Sequence, residues 1–310
     1  MHILVTGGAG YIGSMLVPAL LEKKHSVTVL DTFSSGQAFL AGCCLAANFE
    51  PVRGDARDMR TLEPLLQKAD MIIPLAALVG APLCSRDRIG AVTLNRDAIV
   101  ELVKRASPAQ RLMYPMTNSG YGVGESETHC SEESPLNPIS LYGITKVEAE
   151  HAILEHPSSI SFRLATVFGM APRMRLDLLV NDFVWRAVND HAVVLFEAKF
   201  RRNFIHVRDV VGAFLHGIDH FELMASQAYN VGLSEANLSK LQLCQRIARH
   251  VPAFVYHEAA IGQDQDKRDY VVSNEKLEKT GWIPKVSLDA GIHELVKGYR
   301  MLRNARFSNV

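Results

Sequence analysis

The sequence of 310 residues predicts an α/β protein, with a doubly wound parallel sheet and a second, smaller α/β domain. Three observations predict this fold. Short apolar runs alternate with helix-like segments through the first half of the chain, glycines crowd the turn after the first run, and small or polar residues follow each later run. Ligands of such sheets bind at the carboxyl ends of the strands. The sequence therefore predicts a ligand site along that edge.

The composition indicates a globular chain without a strongly charged partner. Lysine plus arginine and aspartate plus glutamate each number 33, so the zero net charge leaves no electrostatic footprint for nucleic acid or an anionic membrane. The five cysteines form no Cys-x-x-Cys pair, which is typical of reduced thiols. No basic leader is visible, and the longest apolar stretch, 71–83, is too short to span a bilayer. We expect a cytoplasmic protein with no nucleic-acid or membrane partner.

The first strand, helix and strand carry a dinucleotide-binding pattern. A strand over 2–6 is followed by Gly7, Gly10 and Gly13 and then by a helix over 14–23. Glycines at these positions permit a tight turn and let backbone N–H groups approach a pyrophosphate. Asp31 ends the next strand, about 20 residues beyond the glycines, where a carboxylate binds the ribose hydroxyls and repels a 2′-phosphate. The pattern predicts NAD rather than NADP, with Tyr11 and Ile12 also at the cofactor.

Further strands extend the predicted sheet over 49–53, 71–75, 111–115 and 160–165. Helices are predicted over 57–67, divided by Pro64, and over 93–105 and 142–154. The residues that follow the strands gather at one edge of the sheet. From the third strand to the fifth these are Asp55 and Ala56, then Leu75, Ala76 and Ala77, and finally Thr117.

Tyr142 and Lys146 form the pair most suggestive of catalysis. Four residues apart on a helix, they project from one face, so that the ammonium can favour the phenolate. A phenolate beside a nicotinamide ring can take the proton of an alcohol while hydride leaves its carbon. The same spacing also occurs by chance, with a solvated lysine and a half-buried tyrosine. The context of the pair decides between these interpretations.

The second half of the chain predicts strands over 193–196 and 203–207 and helices over 177–189 and 209–220. Two or three more helices and a charge-rich loop at 262–270 follow. We predict a cofactor domain formed by 1–165 plus 203–234. The remaining segments, 166–202 plus 235–310, would form the substrate-binding domain.

Several features occur together in this sequence: the glycine turn, Asp31, Asn95, Thr117, the Tyr142–Lys146 pair and the stretch 202–209. In this combination the chain resembles the extended short-chain dehydrogenase/reductases over its whole length. These are the NAD-dependent nucleotide-sugar epimerases and dehydratases, built on a Rossmann sheet. The resemblance implies that Thr117 hydrogen-bonds the reacting hydroxyl and that Lys146 also holds the nicotinamide ribose. It further implies that Asn95 supports the cofactor site, and that Arg202 and Arg268 grip the substrate diphosphate, a task suited to the planar guanidinium fork.

Departures from the family pattern narrow the reaction. The 4,6-dehydratases have Asp-Glu after the threonine; Asn118 and Ser119 stand there and cannot perform acid–base chemistry, which argues against dehydration. The stretches 75–84, 117–122, 163–169, 172–183 and 266–270 resemble bacterial GDP-heptose 4-dehydrogenases of capsule synthesis. That resemblance implies a GDP-linked sugar substrate. The resemblance to the wider family implies a homodimer formed through helices near 93–105 and 141–154. The implied substrate-binding residues are Val79, Thr117, Asn118, Ser119, Arg175, Asn181, Arg202 and Arg268.

Alternatives remain at this stage. After C4 oxidation, a dehydrogenase releases the keto sugar, whereas an epimerase returns hydride to the other face of the sugar. A non-catalytic NAD-binding scaffold or redox sensor would be expected to lose Tyr142, Lys146 or Thr117, and this chain keeps all three. His216 and His220 have metal-ligand spacing but no recognisable third ligand, so no metal is predicted.

Overall fold

The computed structural model describes residues 1–36, 38–123, 129–259 and 268–302. In the first half, the strands are β1 His2–Thr6, β2 Ser26–Asp31, β3 Phe49–Arg53, β4 Met71–Pro74, β5 Arg111–Thr117, β6 His129–Cys130 and β7 Ser159–Leu164. The helices there are α1 Gly13–Glu22, α2 Met59–Leu66, α3 Ala81–Arg86, α4 Arg88–Val92, α5 Ala98–Arg105 and α6 Leu141–Glu155.

In the second half, the strands are β8 Thr166–Phe168, β9 Ala192–Leu195, β10 Arg201–His206, β11 Gln227–Val231, β12 Asn237–Ser239, β13 Val255–Glu258 and β14 Val271–Val272. The helices are α7 Leu179–Asn189, α8 Val207–Asp219, α9 Phe221–Met224, α10 Lys240–His250, α11 Glu275–Glu278 and α12 Leu288–Tyr299. No helix among the described residues has the length and apolarity needed to cross a membrane.

Seven parallel strands form the main sheet, in the order β11-β7-β5-β4-β1-β2-β3. The doubly wound α/β fold is therefore confirmed. Its central strands read as continuous apolar runs because helices cover both faces; Ile3, Leu4 and Val5 of β1 are all fully buried.

The strand order reverses beside β1, which pairs with β2 on one side and with β4 on the other. A crevice opens at such a reversal, outside the carboxyl ends of the strands. The glycine turn, the end of β4 and the end of β5 all lie along this edge, so the topology alone brings distant residues to one site.

Several elements differ from the sequence-based predictions. Helix α2 continues through Pro64 instead of breaking there. The helix predicted over 93–105 begins with a π-helical turn at Thr93–Asp97. The short helices α3 and α4 and the edge strand β11 were not predicted; α3 and α4 are too short to show a clear helical period.

A three-stranded sheet, β12-β10-β8, lies outside the main sheet, and β13 pairs with β9 in a third. The strand predicted over 203–207 begins at Arg201 and pairs with β8 and β12, both from segments assigned to the smaller domain. Strand β11, from the same 203–234 segment, joins the main sheet. The domain boundaries stay a prediction.

Of the charge-rich loop predicted at 262–270, only the part from Arg268 onward lies within the described residues.

Candidate active site

The glycine turn between β1 and α1 leaves no room for side chains. Gly7 has a φ of +69°, and a Cβ added there would lie 2.5 Å from the Ala76 nitrogen. A Cβ on Gly10 would lie 3.1 Å from the Gly7 carbonyl oxygen. The turn therefore exposes bare backbone to the cleft, the geometry that lets N–H groups approach a pyrophosphate.

Asp31 lies at the end of β2 beside this turn. Its carboxylate accepts hydrogen bonds from the backbone N–H groups of Ala9, at 2.9 Å, and Phe33, at 2.8 Å. Both contacts fix the side chain at the cleft wall. At the end of β3, Asp55 is paired with Arg57 at 2.6 Å, and hydrogen bonds from Arg57 hold the pKa of that carboxyl below its usual range.

Tyr142 and Lys146 both line the cleft from the first two turns of α6. The helix begins where the Ser140 hydroxyl accepts a hydrogen bond from the Gly143 N–H at 3.2 Å, so the pair occupies its amino-terminal end. Lys146 is only 4% exposed, and its ammonium lies 3.9 Å from the centre of the Tyr114 ring.

Burial dominates the titration of both side chains. Desolvation raises the pKa of Tyr142 to about 12, against the opposing charges of Arg175 and Arg268 and the nearby Thr117 hydroxyl. Desolvation lowers the pKa of Lys146 to about 7, against the opposing charge of Glu150. The spacing of the pair predicts that Lys146 lowers the pKa of the phenol. Instead, the charges that lower it most belong to the two arginines, while the lysine rests on Tyr114.

Thr117 ends β5 and lies at the same place. Its hydroxyl donates to the Ser119 Oγ at 2.9 Å and accepts from the Ser119 N–H at 3.1 Å. The Arg268 guanidinium also donates to the Ser119 Oγ. The side chains of Thr117, Ser119, Tyr142 and Arg268 therefore converge from three separate parts of the sequence.

Basic side chains from the second half of the chain also line the cleft. Arg175 is buried and paired with Asp177 at 2.6 Å. Arg202 is 3% exposed, and its guanidinium lies 5.5 Å from the centre of the Tyr270 ring. Sequence reasoning missed three further cations that line the cleft, Arg57, Arg173 and Lys240. Arg173 stood in the basic stretch before α7, but nothing in the sequence around Lys240 distinguished it.

The structure brings most of the predicted site residues to one cleft of about 710 Å³. They are Gly7, Gly10, Tyr11, Ile12, Gly13, Asp31, Asp55, Ala56, Leu75, Ala76, Ala77, Val79, Thr117, Ser119, Tyr142, Lys146, Arg175, Arg202 and Arg268.

Three predicted asparagines lie behind the cleft wall. The Asn95 side chain accepts a hydrogen bond from the Leu78 N–H and donates one to the Leu78 carbonyl oxygen, both at 2.8 Å. These two bonds fix the loop after β4. Asn181 is fully buried; it accepts from the Gly169 N–H and donates to the Arg175 carbonyl. Asn118 is buried, and its amide atoms have no hydrogen-bond partner among the described residues. Asn95 and Asn181 thus support the wall rather than line it.

His216 and His220 lie on α8, outside the residues that line the cleft. Their rings stack 4.2 Å apart, and His216 Nε2 lies 2.8 Å from the Thr280 hydroxyl. Within the described ranges no three potential metal ligands of the His, Cys, Asp and Glu types come together.

One cleft contains the glycine turn, where an added Cβ would fill the space, a carboxylate at the end of β2 and a tyrosine–lysine pair. Together these features are typical of the active site of a dinucleotide-dependent oxidoreductase. The cleft volume falls in the ordinary range for small-molecule and cofactor sites. The residues present therefore fit NAD.

Comparison with known proteins agrees with this fit. Residues 3–232 match the family model described as the NAD-dependent epimerase/dehydratase family, and the chain belongs to that family. It is an NAD-dependent enzyme of the nucleotide-sugar epimerase and dehydratase type.

Among curated relatives, the low-salt glycan biosynthesis protein Agl12 of Haloferax volcanii is 30% identical, over 96% of this chain and 98% of the relative. UDP-glucose 4-epimerase of Corynebacterium glutamicum is 25% identical, over 92% and 91%. Among solved structures, UDP-glucuronic acid 4-epimerase of Bacillus cereus superposes with a TM-score of 0.85 at 22% identity, over 97% and 99% of the two chains. At 22% identity, this structural similarity shows that the two proteins share a fold.

Proposed function

We propose that this enzyme oxidises the C4 hydroxyl of a nucleotide-diphosphate sugar, with Tyr142 as the catalytic base. One observation carries the proposal. Tyr142, Lys146 and Thr117 line the same cleft as the glycine turn, and buried arginines line it too. An alcohol placed at Tyr142 can therefore have its phosphates on the arginines and its reacting carbon near the cofactor.

In this proposal, Tyr142 takes the proton of the C4 hydroxyl, and the Thr117 hydroxyl holds the same oxygen by a hydrogen bond. The positive charges of Arg175 and Arg268 oppose the effect of burial and favour the phenolate. NAD, when bound, would supply the acceptor for the C4 hydride and a positively charged ring. Lys146 holds the nicotinamide ribose as well as contributing charge.

The remaining predicted residues divide between cofactor and substrate. We assign the cofactor to the glycine turn with Tyr11 and Ile12, to the ends of β2 and β3, and to 75–77, with Asn95 supporting. The sugar nucleotide is assigned to Val79, Ser119, Arg202 and Arg268, with Arg175. Binding energy from the diphosphate would position the reacting carbon. Asn118 and Asn181 would act on the substrate indirectly.

A GDP-linked heptose is our leading candidate for the substrate, in capsular heptose synthesis. Support comes from the sequence resemblance of 75–84 and 172–183, and from Asn118 and Ser119, which provide no acid–base pair for dehydration. In this outcome the 4-keto sugar leaves, and another carbonyl compound must reoxidise the NADH.

A 4-epimerase is the second candidate. Its support is the set of relatives named as UDP-sugar 4-epimerases, including one whose solved structure holds UDP-glucose and is 25% identical to this chain. The chemistry begins with the same oxidation, after which the keto sugar turns and takes hydride back.

One experiment separates these outcomes. The purified protein is incubated with NAD and with GDP-, UDP-, CDP- or dTDP-sugars, and the products are identified by mass spectrometry and NMR. Release of a keto sugar with matching NADH supports the dehydrogenase, and interconversion of two sugars without net redox change supports the epimerase. If neither occurs with any sugar nucleotide and none raises the melting temperature, the proposed function is wrong.

We also propose a cytoplasmic homodimer formed through α5 and α6, as the family resemblance implies. The exposed side chain of Ile144 on α6 supports this proposal, since it places apolar surface on one of the two helices.

A further inference from the structure

The ammonium of Lys146 rests on an aromatic ring. The Tyr114 ring, fully buried in β5, presents its face to the ammonium at 3.9 Å from ring centre to Nζ. A buried cation is costly without a compensating interaction, and the face of this ring supplies one.

The Tyr114 hydroxyl does not explain the choice of tyrosine. It is buried and has no hydrogen-bond partner in the described part of the chain. A buried hydroxyl without a partner costs free energy rather than supplying it. The interaction with Lys146 involves the face of the Tyr114 ring, since an aromatic face attracts a cation through its quadrupole.

We propose that Tyr114 is a positioning residue for Lys146: its ring holds the buried ammonium charged and directed toward the cleft. This inference rests on the proposed role of Lys146, but the contact itself is testable without turnover. Neither the family match nor the named relatives assign a role to this position.

Ionisable groups on α3 and α6 also act on the Lys146 ammonium. Glu150, one turn further along α6, favours the charged lysine, and Tyr142 lies one turn before it. Cys84, fully buried on α3, favours the charged lysine when ionised, but burial raises the pKa of this thiol to about 11. Glu150 is itself bound by Arg163 at 3.0 Å, which leaves part of its charge already compensated. The ring is thus a second, separate source of stabilisation.

The test is a double-mutant cycle on the cofactor-free protein, with Tyr114→Leu, Lys146→Met and the double variant, measured by chemical unfolding. Tyr114→Phe is the matched control because it keeps the ring and loses only the unpaired hydroxyl. At about pH 6, where Lys146 is charged, we expect a coupling of at least fivefold in the unfolding equilibrium constant, equivalent to about 1 kcal/mol. At about pH 9, where the buried lysine is neutral, the coupling should approach onefold.

Packing alone would give the same coupling at both pH values, and that result would overturn the proposal. So would a Tyr114→Phe variant that loses as much coupling as Tyr114→Leu. If the leucine variant does not fold, Tyr114→Met fills more of the space and replaces it in the cycle. Because no substrate is involved, failure of this cycle is distinct from failure of the proposed oxidation.

Activity provides a second measurement. If Lys146 must be protonated, loss of the ring should move the alkaline limb of the kcat profile to lower pH by roughly half a unit to one and a half units. Tyr114→Phe should leave the limb in place. A purely structural role would lower the amount of folded enzyme but not shift the limb.

Discussion

At the scale of single residues, Tyr142 is the proposed catalytic base. Because the variant keeps the ring and removes only the group that takes the proton, we expect Tyr142→Phe to lower kcat by about 10²- to 10⁴-fold with little change in stability. Steady-state kinetics with NADH detection measures this. Tyr256→Phe, on β13 and outside the cleft lining, is the matched control. Turnover of the Tyr142 variant at the parent rate would rule out the phenol as the base.

Lys146 shows how a functional residue lowers stability. Its pKa falls in the folded protein from an ordinary value near 10.5 to about 7, so the unfolded chain binds the proton more tightly. The resulting destabilisation is complete below about pH 7 and fades as the pH rises toward 10.5. The fall corresponds to an upper bound of about 5 kcal/mol.

We therefore expect Lys146→Met to stabilise the cofactor-free protein at about pH 6, by about 1 to 4 kcal/mol, while abolishing activity. The gain should shrink steadily in alkaline buffer. Urea unfolding across a pH series measures it, with the exposed Lys279→Met as a control that should change little. A variant that is less stable than the parent at every pH would contradict this account.

At the scale of elements, the glycine turn depends on backbone approach. We expect Gly7→Ala to cost at least about 2 kcal/mol and to weaken NAD binding, because the added Cβ would meet the Ala76 backbone and the φ of +69° disfavours alanine. Calorimetry with NAD and chemical unfolding measure both effects. Gly42→Ala is the control, since its added Cβ meets nothing within 4 Å. Equal behaviour of the two variants would show that the close approach is not required.

Elements also show which predictions the sequence could support. Six of the seven strands of the main sheet, all except β11, were predicted to within a few residues because each is a short apolar run bounded by a turn. Helix α6 was predicted from the four-residue spacing of Tyr142 and Lys146. By contrast, α3 and α4 span six and five residues, too few to establish a 3.6-residue period.

At the scale of the whole molecule, a buried ion pair joins α6 to the main sheet. Glu150 is fully buried and accepts hydrogen bonds from Arg163, at 3.0 Å, and from Ser161, at 2.5 Å. Arg163 also donates to the Tyr121 hydroxyl, and the Tyr121 ring packs edge-on against Tyr270. Tyr270 lies under Arg202, so the network reaches from behind Lys146 to the arginine side of the cleft.

We expect Glu150→Gln to destabilise the protein by about 3 to 5 kcal/mol, because it leaves the Arg163 charge buried without its partner. Glu148→Gln, on the same helix but in an exposed pair with Arg96, should cost at most about 1 kcal/mol. Guanidinium unfolding of both variants gives the comparison. Similar losses in the two would mean that the buried pair is not a major source of stability.

The proposed dimer is the last prediction at this scale. Placing a charge at Ile144 should weaken a helix–helix interface formed through α6, so we expect Ile144→Glu to shift the protein toward monomer in sedimentation velocity. Ile283→Glu, at another exposed isoleucine outside the proposed interface, is the control. If the parent protein sediments as a monomer at all concentrations, the proposed homodimer is wrong.

The sequence alone determined the features that depend on near neighbours in the chain. The glycine turn, Asp31 about 20 residues later and the Tyr142–Lys146 pair follow from local spacing, because strand and helix periods fix where successive side chains point. The family and the cofactor followed from the same features.

Only the tertiary structure decided which distant groups meet. It placed Tyr114 under the Lys146 ammonium, brought Arg175 and Arg268 near the Tyr142 phenol, added Lys240 to the cleft lining, and kept Asn95, Asn118 and Asn181 off that lining. The physical reason is that burial and through-space charge depend on strand order and loop packing, which no local pattern specifies. These same quantities set the pKa values of the reacting groups.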